Sequence, residues 1–544
     1  MDPKQRMPQN QVPPLEGYNA VTSDQALVGA LKEFADDSVL NSLDDLGTLA
    51  GSAEAREHWH RANVEIPVLK PVDRYGARID EVKFSDSWHW LMDKSIGFGL
   101  GATPWVSDDP NAHLRRAAGF YAWGQVEQGH MCPTTMTNAV VPAMRADDAI
   151  AKEWIDGLAS TIYDFGLRPP KEKQGLIAGM GMTEKQGGSD LRSNTTVATP
   201  TSDPSEYLID GHKWFVSAPM SDVFLILAQA PGGMTCFVLP RVLPDGTLNS
   251  LSLVRLKDKL GNRSNASSEV EFNNAVGYRL GDEGRGIRTI IDMVAATRID
   301  TILGSASIMR KALIEAAWHA SHRNAFGKRL IEQPAMINVL ADLQLETEAA
   351  MMLALRLAKT NDNPNDEHEQ ALSRIGTPIG KFWVTKRTPF MVAEALECLG
   401  GNGYVEESGL PLLFRESPVN SVWEGSGSIN ALDALRAIER EPEALDAWLT
   451  EVGEAKGENR HLDAAIEKVL NELADLHGIE LRARRIASLM ATTLQASLLI
   501  RHGDPIVADT FAAARLGGDW TGTFGTLPAS ADLASIAQRA VPVI

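Results

Sequence analysis

A block of short β-rich runs interrupts a chain that is otherwise helical in character, and it constrains the fold more than any other feature. From about residue 176 to 282, runs rich in branched and aromatic residues alternate with turn signals such as the Pro-Gly-Gly at 231–233. On either side, apolar residues recur at helical spacing, as over residues 287–317 and 335–359. Periodicity therefore predicts an α+β chain in the order helices, strands, helices and further helices, with boundaries near residues 175, 282 and 440.

The composition is that of an ordinary globular protein. Of the 544 residues, 44% are hydrophobic and 23% are charged, which is enough apolar surface for a large core. The net charge of −19 opposes non-specific binding to nucleic acid over the whole chain, although one basic face remains compatible with it. Cys132, Cys236 and Cys398 form no CxxC pair and no even-numbered framework, which favours a reduced compartment, and no metal site is predicted.

The sequence predicts neither a secretory signal nor a membrane span. Residues 1–18 are polar, contain four prolines and lack an apolar stretch, so they are interpreted as an arm that packs on a neighbouring subunit. The best apolar run, residues 486–500, is only 15 residues long, whereas a span needs about 20. A cytoplasmic location is expected.

The first segment with chemical content is a glycine-rich turn at residues 179–190. It contains four glycines within ten residues, together with Thr183 and Ser189, and the backbone of such a turn can approach a flat ligand closely. It lacks the GxGxxG spacing of a dinucleotide fingerprint and the GK[ST] of a P-loop. On its own, the segment fits a plain glycine-rich turn equally well.

A second segment, residues 211–217, places the aromatic pair Trp214 and Phe215 shortly before a small polar residue, Ser217. An aromatic pair at the end of a strand can form a wall against one face of a ring system. A core tryptophan on a strand is the alternative, and it is the commoner case.

Together these segments resemble the acyl-CoA dehydrogenase family, whose further motifs follow in the same order. The family pattern T-E-x-x-x-G-S-D, then G-x-K-x-[WF]-[IV]-[ST], is met by the two segments above. The other five motifs are KDKLGNR at 257–263, GDEGRG at 281–286, RNAFG at 323–327 with Gln333 behind it, GGNGY at 400–404 and WEGSG at 423–427. Seven ordered motifs make chance a poor explanation. The resemblance implies a helical N-terminal domain, a middle β-barrel or sheet, a C-terminal four-helix bundle with an extra helical domain, and FAD as the cofactor.

The resemblance also implies roles for individual residues. Those implied to line the flavin or its pyrophosphate are Met182, Thr183, Ser189, Phe215, Val216, Ser217, Val422, Trp423 and Ser426. Those implied to reach the FAD of a neighbouring subunit, and hence a homotetramer, are Arg323, Phe326, Gln333, Gly400 and Gly401. Ser189 and Arg298 are implied to bind an acyl-CoA substrate, and an electron-transfer flavoprotein or another acceptor is the implied redox partner. One departure is Glu397, since the family often has Gln three residues before the double glycine.

Glu424 is the candidate catalytic base. Removing two hydrogens from an acyl thioester needs a base at Cα, a hydride acceptor at Cβ and hydrogen-bond donors at the enolate oxygen. Some family members keep the base on the long helix, at the position just before Arg298, where this chain has Thr297, so Glu424 is the better candidate. A glutamate that merely complements a helix dipole is the alternative interpretation.

The wording of several motifs resembles the DNA-alkylation-response branch of the family more than the β-oxidation enzymes. These motifs are GHKWF at 211–215, LKDKLGNRSNAS at 256–267 and PVNSVWEGSGSI at 418–429. That branch implies weak isovaleryl-CoA dehydrogenase activity and double-stranded DNA binding through the C-terminal domain.

The charge of that domain does not favour DNA binding. Residues 441–544 carry nine Lys or Arg against fifteen Asp or Glu, which is the wrong sign for binding phosphates. A local basic face of Arg482, Arg484, Arg485 and Arg501 and a merely solvated helix end are the two alternatives there. Two hypotheses for the whole chain remain open: a dehydrogenase of short or branched acyl-CoA, and a DNA-binding flavoprotein of the alkylation response. An acyl-CoA oxidase is a minor third.

Overall fold

The computed structural model describes residues 10–543, which divide into two compact units. The first unit contains the residues up to 56, residues 117–126 and the residues from 301 onward. The second unit contains residues 57–116 and 127–300. The predicted boundaries near residues 175, 282 and 440 stay predictions.

Helices dominate the chain before the β block, with one β-hairpin among them. The elements are α1 (Gln25–Phe34), α2 (Asp37–Ser42), α3 (Asp44–Ala50), α4 (Ala53–Val64), β1 (Val68–Val72), β2 (Arg78–Lys83), α5 (Asp86–Gly97), α6 (Ala112–Trp123), α7 (Met131–Met144) and α8 (Asp148–Leu158). Helical periodicity did not predict the hairpin. Its turn holds Gly76 at a φ of 84°, a left-handed conformation that glycine adopts without strain.

The predicted β block is confirmed as a closed sheet in the second unit. Its strands are β3 (Ala178–Gly181), β4 (Val197–Pro200), β5 (Glu206–Ser217), β6 (Val223–Ala230), β7 (Gly233–Pro240), β8 (Leu251–Leu256) and β9 (Ser267–Leu280). Pairing runs from β6 through β4, β5, β9 and β7 and returns to β6, while β3 adds to β6 and β8 adds to β9. Inward side chains such as Ile209, Phe224, Phe237 and Val270 fill the interior because alternate residues of each strand face it.

The rest of the chain is helical, as predicted. Its helices are α9 (Gly286–His322), α10 (Pro334–Lys359), α11 (Glu367–Cys398), α12 (Leu410–Glu416), α13 (Gly427–Arg440), α14 (Pro442–Gly453), α15 (Arg460–Ala474), α16 (Ile479–His502), α17 (Pro505–Phe511) and α18 (Leu533–Gln538). Two short strands, β10 (Asn324–Ala325) and β11 (Lys328–Arg329), form a hairpin between α9 and α10. No helix among residues 10–543 is long and apolar enough to cross a membrane.

The last hundred residues belong to the first unit and pack on α10, where ion pairs join the two. Asp342 and Glu346 pair with Arg515, and Glu348 pairs with Arg539 at 2.8 Å. All three carboxylates are at most 3% exposed, and a buried carboxylate needs a cationic partner. The C-terminal segment supplies both of these arginines.

The predicted N-terminal arm packs on its own chain wherever it is described. Leu15 and Tyr18 are buried against Ile314 of α9, and the Trp318 indole donates to the Pro13 carbonyl at 2.8 Å. Residues 1–9 lie outside the described residues. Burial of these two apolar side chains stabilises residues 10–18 against α9, and the expected packing of the arm on a neighbouring subunit stays a prediction.

Candidate active site

Glu184 is the centre of the glycine-rich turn, and its side chain is fully buried. Its carboxylate accepts hydrogen bonds from the Thr195 amide at 2.6 Å, the Thr196 amide at 3.2 Å and the Lys213 ammonium at 2.8 Å. Lys213 also donates to the Leu227 carbonyl at 2.7 Å. Burial raises the pKa of Glu184, but these hydrogen bonds outweigh burial and hold the pKa at about 2. An ionised pair thus fixes the turn to β5 at neutral pH.

Met182 and Thr183, two of the predicted flavin residues, are half-buried in this turn. Their carbonyls are engaged within the protein, since the Asn194 amide side chain donates to Met182 at 2.9 Å and the Trp214 backbone to Thr183 at 2.8 Å. Gly188 packs closely on the Thr183 side chain, because a Cβ at position 188 would lie 2.4 Å from the Thr183 hydroxyl oxygen. The turn is therefore held by contacts within the chain.

The end of β5 carries the residues predicted to face a ring system. A shift in its pairing register with β9 re-aims this segment, and Lys257 Nζ lies 3.6 Å from the Trp214 ring centroid and 4.7 Å from that of Phe215. Phe215 is 52% exposed, whereas Val216 is buried. The Ser217 hydroxyl lies 3.2 Å from the hydroxyl of a serine on β9. The strand end therefore offers an aromatic surface and a hydroxyl, which suit a flat heteroaromatic ligand.

The residues on α9 agree with the choice of Glu424 over a base on the long helix. Thr297 is fully buried, and its hydroxyl donates to the Val294 carbonyl at 2.9 Å. A neutral threonine hydroxyl is far too weak a base to take a proton from carbon. Arg298, a predicted substrate residue, is 8% exposed, and Ser189, the other, is exposed on the glycine-rich turn.

Glu424 itself has a left-handed backbone conformation, with a φ of 56°, in the loop before α13. That conformation costs a residue with a Cβ roughly 1–3 kcal/mol and persists only where the surroundings enforce it. The next residue is held in place, because the Gly425 carbonyl accepts hydrogen bonds from Lys381 Nζ at 2.7 Å and Asn430 Nδ2 at 2.6 Å. Both donors are buried, so α11 and α13 together fix the loop that presents Glu424.

Two buried polar atoms beside Glu424 have no hydrogen-bond partner among residues 10–543. They are Trp423 Nε1, a donor, and Asn430 Oδ1, an acceptor. Buried polar atoms are nearly always paired, so these two fit a site that a polar molecule completes. Val422 and Ser426 are exposed at the same loop. One unpaired donor and one unpaired acceptor fit a cofactor or substrate that carries both hydrogen-bond acceptors and donors.

The residues predicted to reach a neighbouring subunit lie on the surface of the first unit. Phe326 is 98% exposed at the tip of the β10–β11 hairpin, with a φ of 53°. Gln333 donates to a carbonyl within that hairpin at 3.0 Å, and Arg323 donates to a carbonyl of the N-terminal segment. Gly400 and Gly401 have open space where a Cβ would stand. These residues therefore remain accessible to a second chain, and their predicted contacts stay predictions.

The arginines predicted as a local basic face are mostly paired within the chain. Arg482 and Arg485 both bind the Glu472 carboxylate, at 2.6 Å and 2.7 Å. Arg501 pairs with carboxylates at the end of α14, and the Arg484 guanidinium lies 5.5 Å from an aromatic ring of α11. Three of the four arginines are thus paired with carboxylates, which does not favour a basic face, and their predicted role stays a prediction.

Sequence reasoning missed the residues that hold the site in place. The family motifs contain Glu184 and Lys213, but no local pattern predicts their pairing, which spans 29 residues of sequence. Lys381 and Asn430 were not singled out. A signal existed for Lys381, since a charged residue in the apolar run Ile379 to Phe382 of a long helix indicates a buried ammonium with a specific partner.

Three family models match successive parts of the chain. They are the adaptive response protein AidB N-terminal domain over residues 10–165, the acyl-CoA dehydrogenase middle domain over 179–275 and the acyl-CoA dehydrogenase C-terminal domain over 284–439. Together they cover the helical, β and helical parts of the fold in order.

Individual relatives agree with these matches. The acyl-CoA dehydrogenase AidB of Escherichia coli K12 is 45% identical over 466 residues, which is 85% of this chain and 86% of that protein. The structure of Caenorhabditis elegans ACDH-11 in complex with C11-CoA matches with a TM-score of 0.84 at 26% identity, covering 98% of this chain and 93% of that one. An acyl-CoA dehydrogenase from Bacillus anthracis complexed with FAD shares the fold, with a TM-score of 0.62 at 17% identity over 84% of this chain and 79% of that one.

A helical N-terminal part, a closed middle sheet and C-terminal helices, with a glutamate in a constrained loop, define an oxidoreductase of the acyl-CoA dehydrogenase class. Within that class, the chain belongs to the acyl-CoA dehydrogenase family as one of its AidB-like members.

Proposed function

We propose that this protein catalyses the α,β-dehydrogenation of a short or branched acyl-CoA, with FAD as cofactor and Glu424 as the base. The observation that carries the proposal is the left-handed conformation of Glu424, which two buried donors enforce through the next carbonyl. A loop that only began a helix would gain nothing from such a conformation. A catalytic carboxylate, in contrast, benefits from a fixed position relative to the carbon it deprotonates.

The Glu424 carboxylate takes the proton from Cα, and the electron pair left there forms the Cα–Cβ double bond as a hydride leaves Cβ. FAD, when bound, supplies the acceptor for that hydride. The Glu424 backbone amide is a donor for the thioester oxygen, where negative charge develops during proton removal.

The remaining site residues are proposed to bind cofactor and substrate. Thr183 and Ser217 offer hydroxyls, and Phe215 an exposed ring, to the flavin. Ser189 and Arg298 are proposed to contact the acyl-CoA. The exposed Phe326 hairpin and the Gly400–Gly401 turn support a homotetramer in which each contributes to a neighbour's FAD site, together with Arg323 and Gln333. An electron-transfer flavoprotein or a similar carrier is the proposed acceptor, and the cytoplasm the proposed location.

An anaerobic titration of the FAD-loaded protein tests the reaction. Isovaleryl-CoA and straight-chain acyl-CoA thioesters from four to twelve carbons are added in turn, and bleaching of the flavin absorbance is recorded. We expect at least one thioester to bleach the flavin, and Glu424→Gln to slow bleaching by about 10²–10⁴-fold, the usual contribution of a positioned base.

The matched control is Glu439→Gln, which removes an exposed carboxylate from α13 and should leave the rate within about twofold. The ratio of flavin to protein absorbance is measured for each variant, so that loss of FAD is distinguished from loss of the base. The proposal fails if no thioester bleaches the flavin, or if Glu424→Gln bleaches as fast as the parent protein.

Double-stranded DNA binding is the second hypothesis, and the described C-terminal contacts do not favour it. The candidate arginines Arg482, Arg485 and Arg501 are engaged with carboxylates, so a phosphate would have to displace an existing ion pair. Arg484 is the exception, because its guanidinium lies beside an aromatic ring. We therefore place DNA binding behind the dehydrogenase reaction.

A further inference from the structure

A small cationic pocket lies in the second unit, at the loop that joins β8 to β9. Its volume is about 320 Å³, and Lys257, Lys259 and Arg263 line it together with Asp258 and Asn265. Ile66, from the segment before β1, forms part of an apolar wall. Three cations and one carboxylate in a chain of net charge −19 make this pocket a local reversal of charge.

The cations differ in how far the protein already uses them. Lys259 donates to the Asn265 carbonyl at 2.7 Å and to the Ser267 hydroxyl at 3.0 Å, so it holds the loop in shape. Within residues 10–543 the contacts of Arg263 through Nη1 are long ones, at 3.3 Å each to the Lys259 carbonyl and to Asp258, which is 90% exposed. A weak pairing with an exposed carboxylate is easily exchanged for a stronger anion.

Asn265 supplies a second, independent observation. Its side chain is 1% exposed, and its Oδ1 has no hydrogen-bond partner among residues 10–543. Leaving such an acceptor unpaired in the interior is unfavourable, and a ligand with an N–H or O–H group would satisfy it. The pocket thus suits a ligand that carries both an anionic group and a hydrogen-bond donor.

The remaining cation faces the aromatic end of β5. Lys257 donates to Glu269 at 2.6 Å while its ammonium lies over the Trp214 ring. With one carboxylate on one side and a ring on another, Lys257 retains capacity for a further acceptor from the pocket. Arginine and lysine side by side are the usual partners of a phosphate.

We propose that this pocket binds the phosphate of a small phosphomonoester of nucleotide size. Arg263 and Lys257 bind the phosphate oxygens, and Asn265 Oδ1 accepts a hydrogen bond from a hydroxyl or amino group of the same molecule. The volume is at the lower end of the range for ligand pockets, about 300–1,000 Å³, which suits a nucleoside monophosphate better than a larger molecule.

Isothermal titration calorimetry of the FAD-loaded protein tests the proposal with AMP, adenosine and inorganic phosphate as probes, and with a blunt duplex oligonucleotide. We expect AMP to bind at least tenfold more tightly than adenosine, and inorganic phosphate to compete with it. Arg263→Gln and Asn265→Asp should each weaken AMP binding at least tenfold. Arg263→Lys, which keeps the charge, should weaken it less than Arg263→Gln.

The matched control is Arg255→Gln, which removes a neighbouring cation that is 64% exposed and does not line the pocket; AMP affinity should change less than threefold. Circular dichroism confirms that each variant is folded before titration. Equal affinities for AMP and adenosine, unchanged AMP binding in Arg263→Gln, or binding of the duplex but not of AMP would each overturn the proposal. Because no acyl-CoA is present, these outcomes are independent of the dehydrogenase reaction.

Discussion

The pairing of Glu184 with Lys213 is the contact whose loss should be most damaging to the candidate flavin site. Both side chains are fully buried, and Glu184 accepts hydrogen bonds from two further backbone amides. Replacing Glu184 with Gln keeps the shape but leaves the Lys213 ammonium without its counter-charge in the interior. We expect Glu184→Gln to lower the free energy of unfolding by about 3–5 kcal/mol, as for other buried pairs that lose one partner.

The pKa of Glu184 leads to a similar magnitude. The folded-state pKa is about 2, against an ordinary value of 4.5, and each unit corresponds to about 1.4 kcal/mol, so ionised Glu184 is stabilised by at most about 3 kcal/mol. Burial lowers the pKa of Lys213, which offsets part of this stabilisation. Since the folded pKa of Glu184 is lowered, its stabilisation is complete above the ordinary pKa and is lost as the pH falls toward 2. Glu184→Gln should therefore make stability less dependent on pH below about 4.5.

Urea denaturation followed by circular dichroism and by flavin fluorescence measures both effects. Glu172→Gln, an exposed carboxylate outside any ion pair among the described residues, is the control and should change stability by less than about 0.5 kcal/mol. The double variant Glu184→Gln with Lys213→Met should be more stable than the sum of the two single losses predicts, because it leaves no unpaired charge. A loss below about 1 kcal/mol for Glu184→Gln, or simple additivity in the double variant, would refute the reasoning.

Two further predictions concern the Glu424 loop and the C-terminal arginines. Lys381→Met should lower the rate of flavin bleaching at least tenfold with an unchanged flavin-to-protein ratio, because the Gly425 carbonyl loses one of two donors. The control, Lys468→Met, changes an exposed lysine of α15 and should have no effect on the rate. Equal rates for the two variants would contradict a positioning role for Lys381. Arg482→Ala and Arg485→Ala should leave the salt dependence of any DNA binding unchanged, because Glu472 already occupies both side chains, and a decrease in slope of about one per arginine would show that they bind phosphates.

Local patterns predicted the secondary structure well where proline or glycine marks the beginning or end of an element. The helix expected over residues 335–359 is observed as α10, Pro334–Lys359, and the agreement has a cause: a proline is favoured in the first turn of a helix, where its missing N–H costs nothing. The long helix expected over 287–317 begins at the predicted glycines but runs on to His322. The β1–β2 hairpin was missed because it is short and lies among helices.

Contacts between distant residues could not be predicted from the sequence. Glu472 precedes Arg482 and Arg485 on the chain, but only the close approach of α15 and α16 brings its carboxylate to both guanidinium groups. The N-terminal segment shows the same limit. Its prolines and polar residues predicted an arm, whereas the contact of Leu15 and Tyr18 with Ile314 depends on tertiary packing that no local pattern encodes.

The glycine-rich turn and the Glu424 loop, each within its own unit, are held in a similar way. In each, a buried lysine holds a loop through an oxygen atom: Lys213 holds the glycine-rich turn through Glu184, and Lys381 holds the Glu424 loop through the Gly425 carbonyl. Burying an ammonium is costly, so a lysine at such a position is favoured only where a fixed loop outweighs the desolvation. Arginine is not equivalent to lysine at such a position, because its planar guanidinium needs a wider space and a different arrangement of acceptors. Each lysine therefore helps to hold its loop in place: Lys213 the glycine-rich turn and, together with Asn430, Lys381 the Glu424 loop.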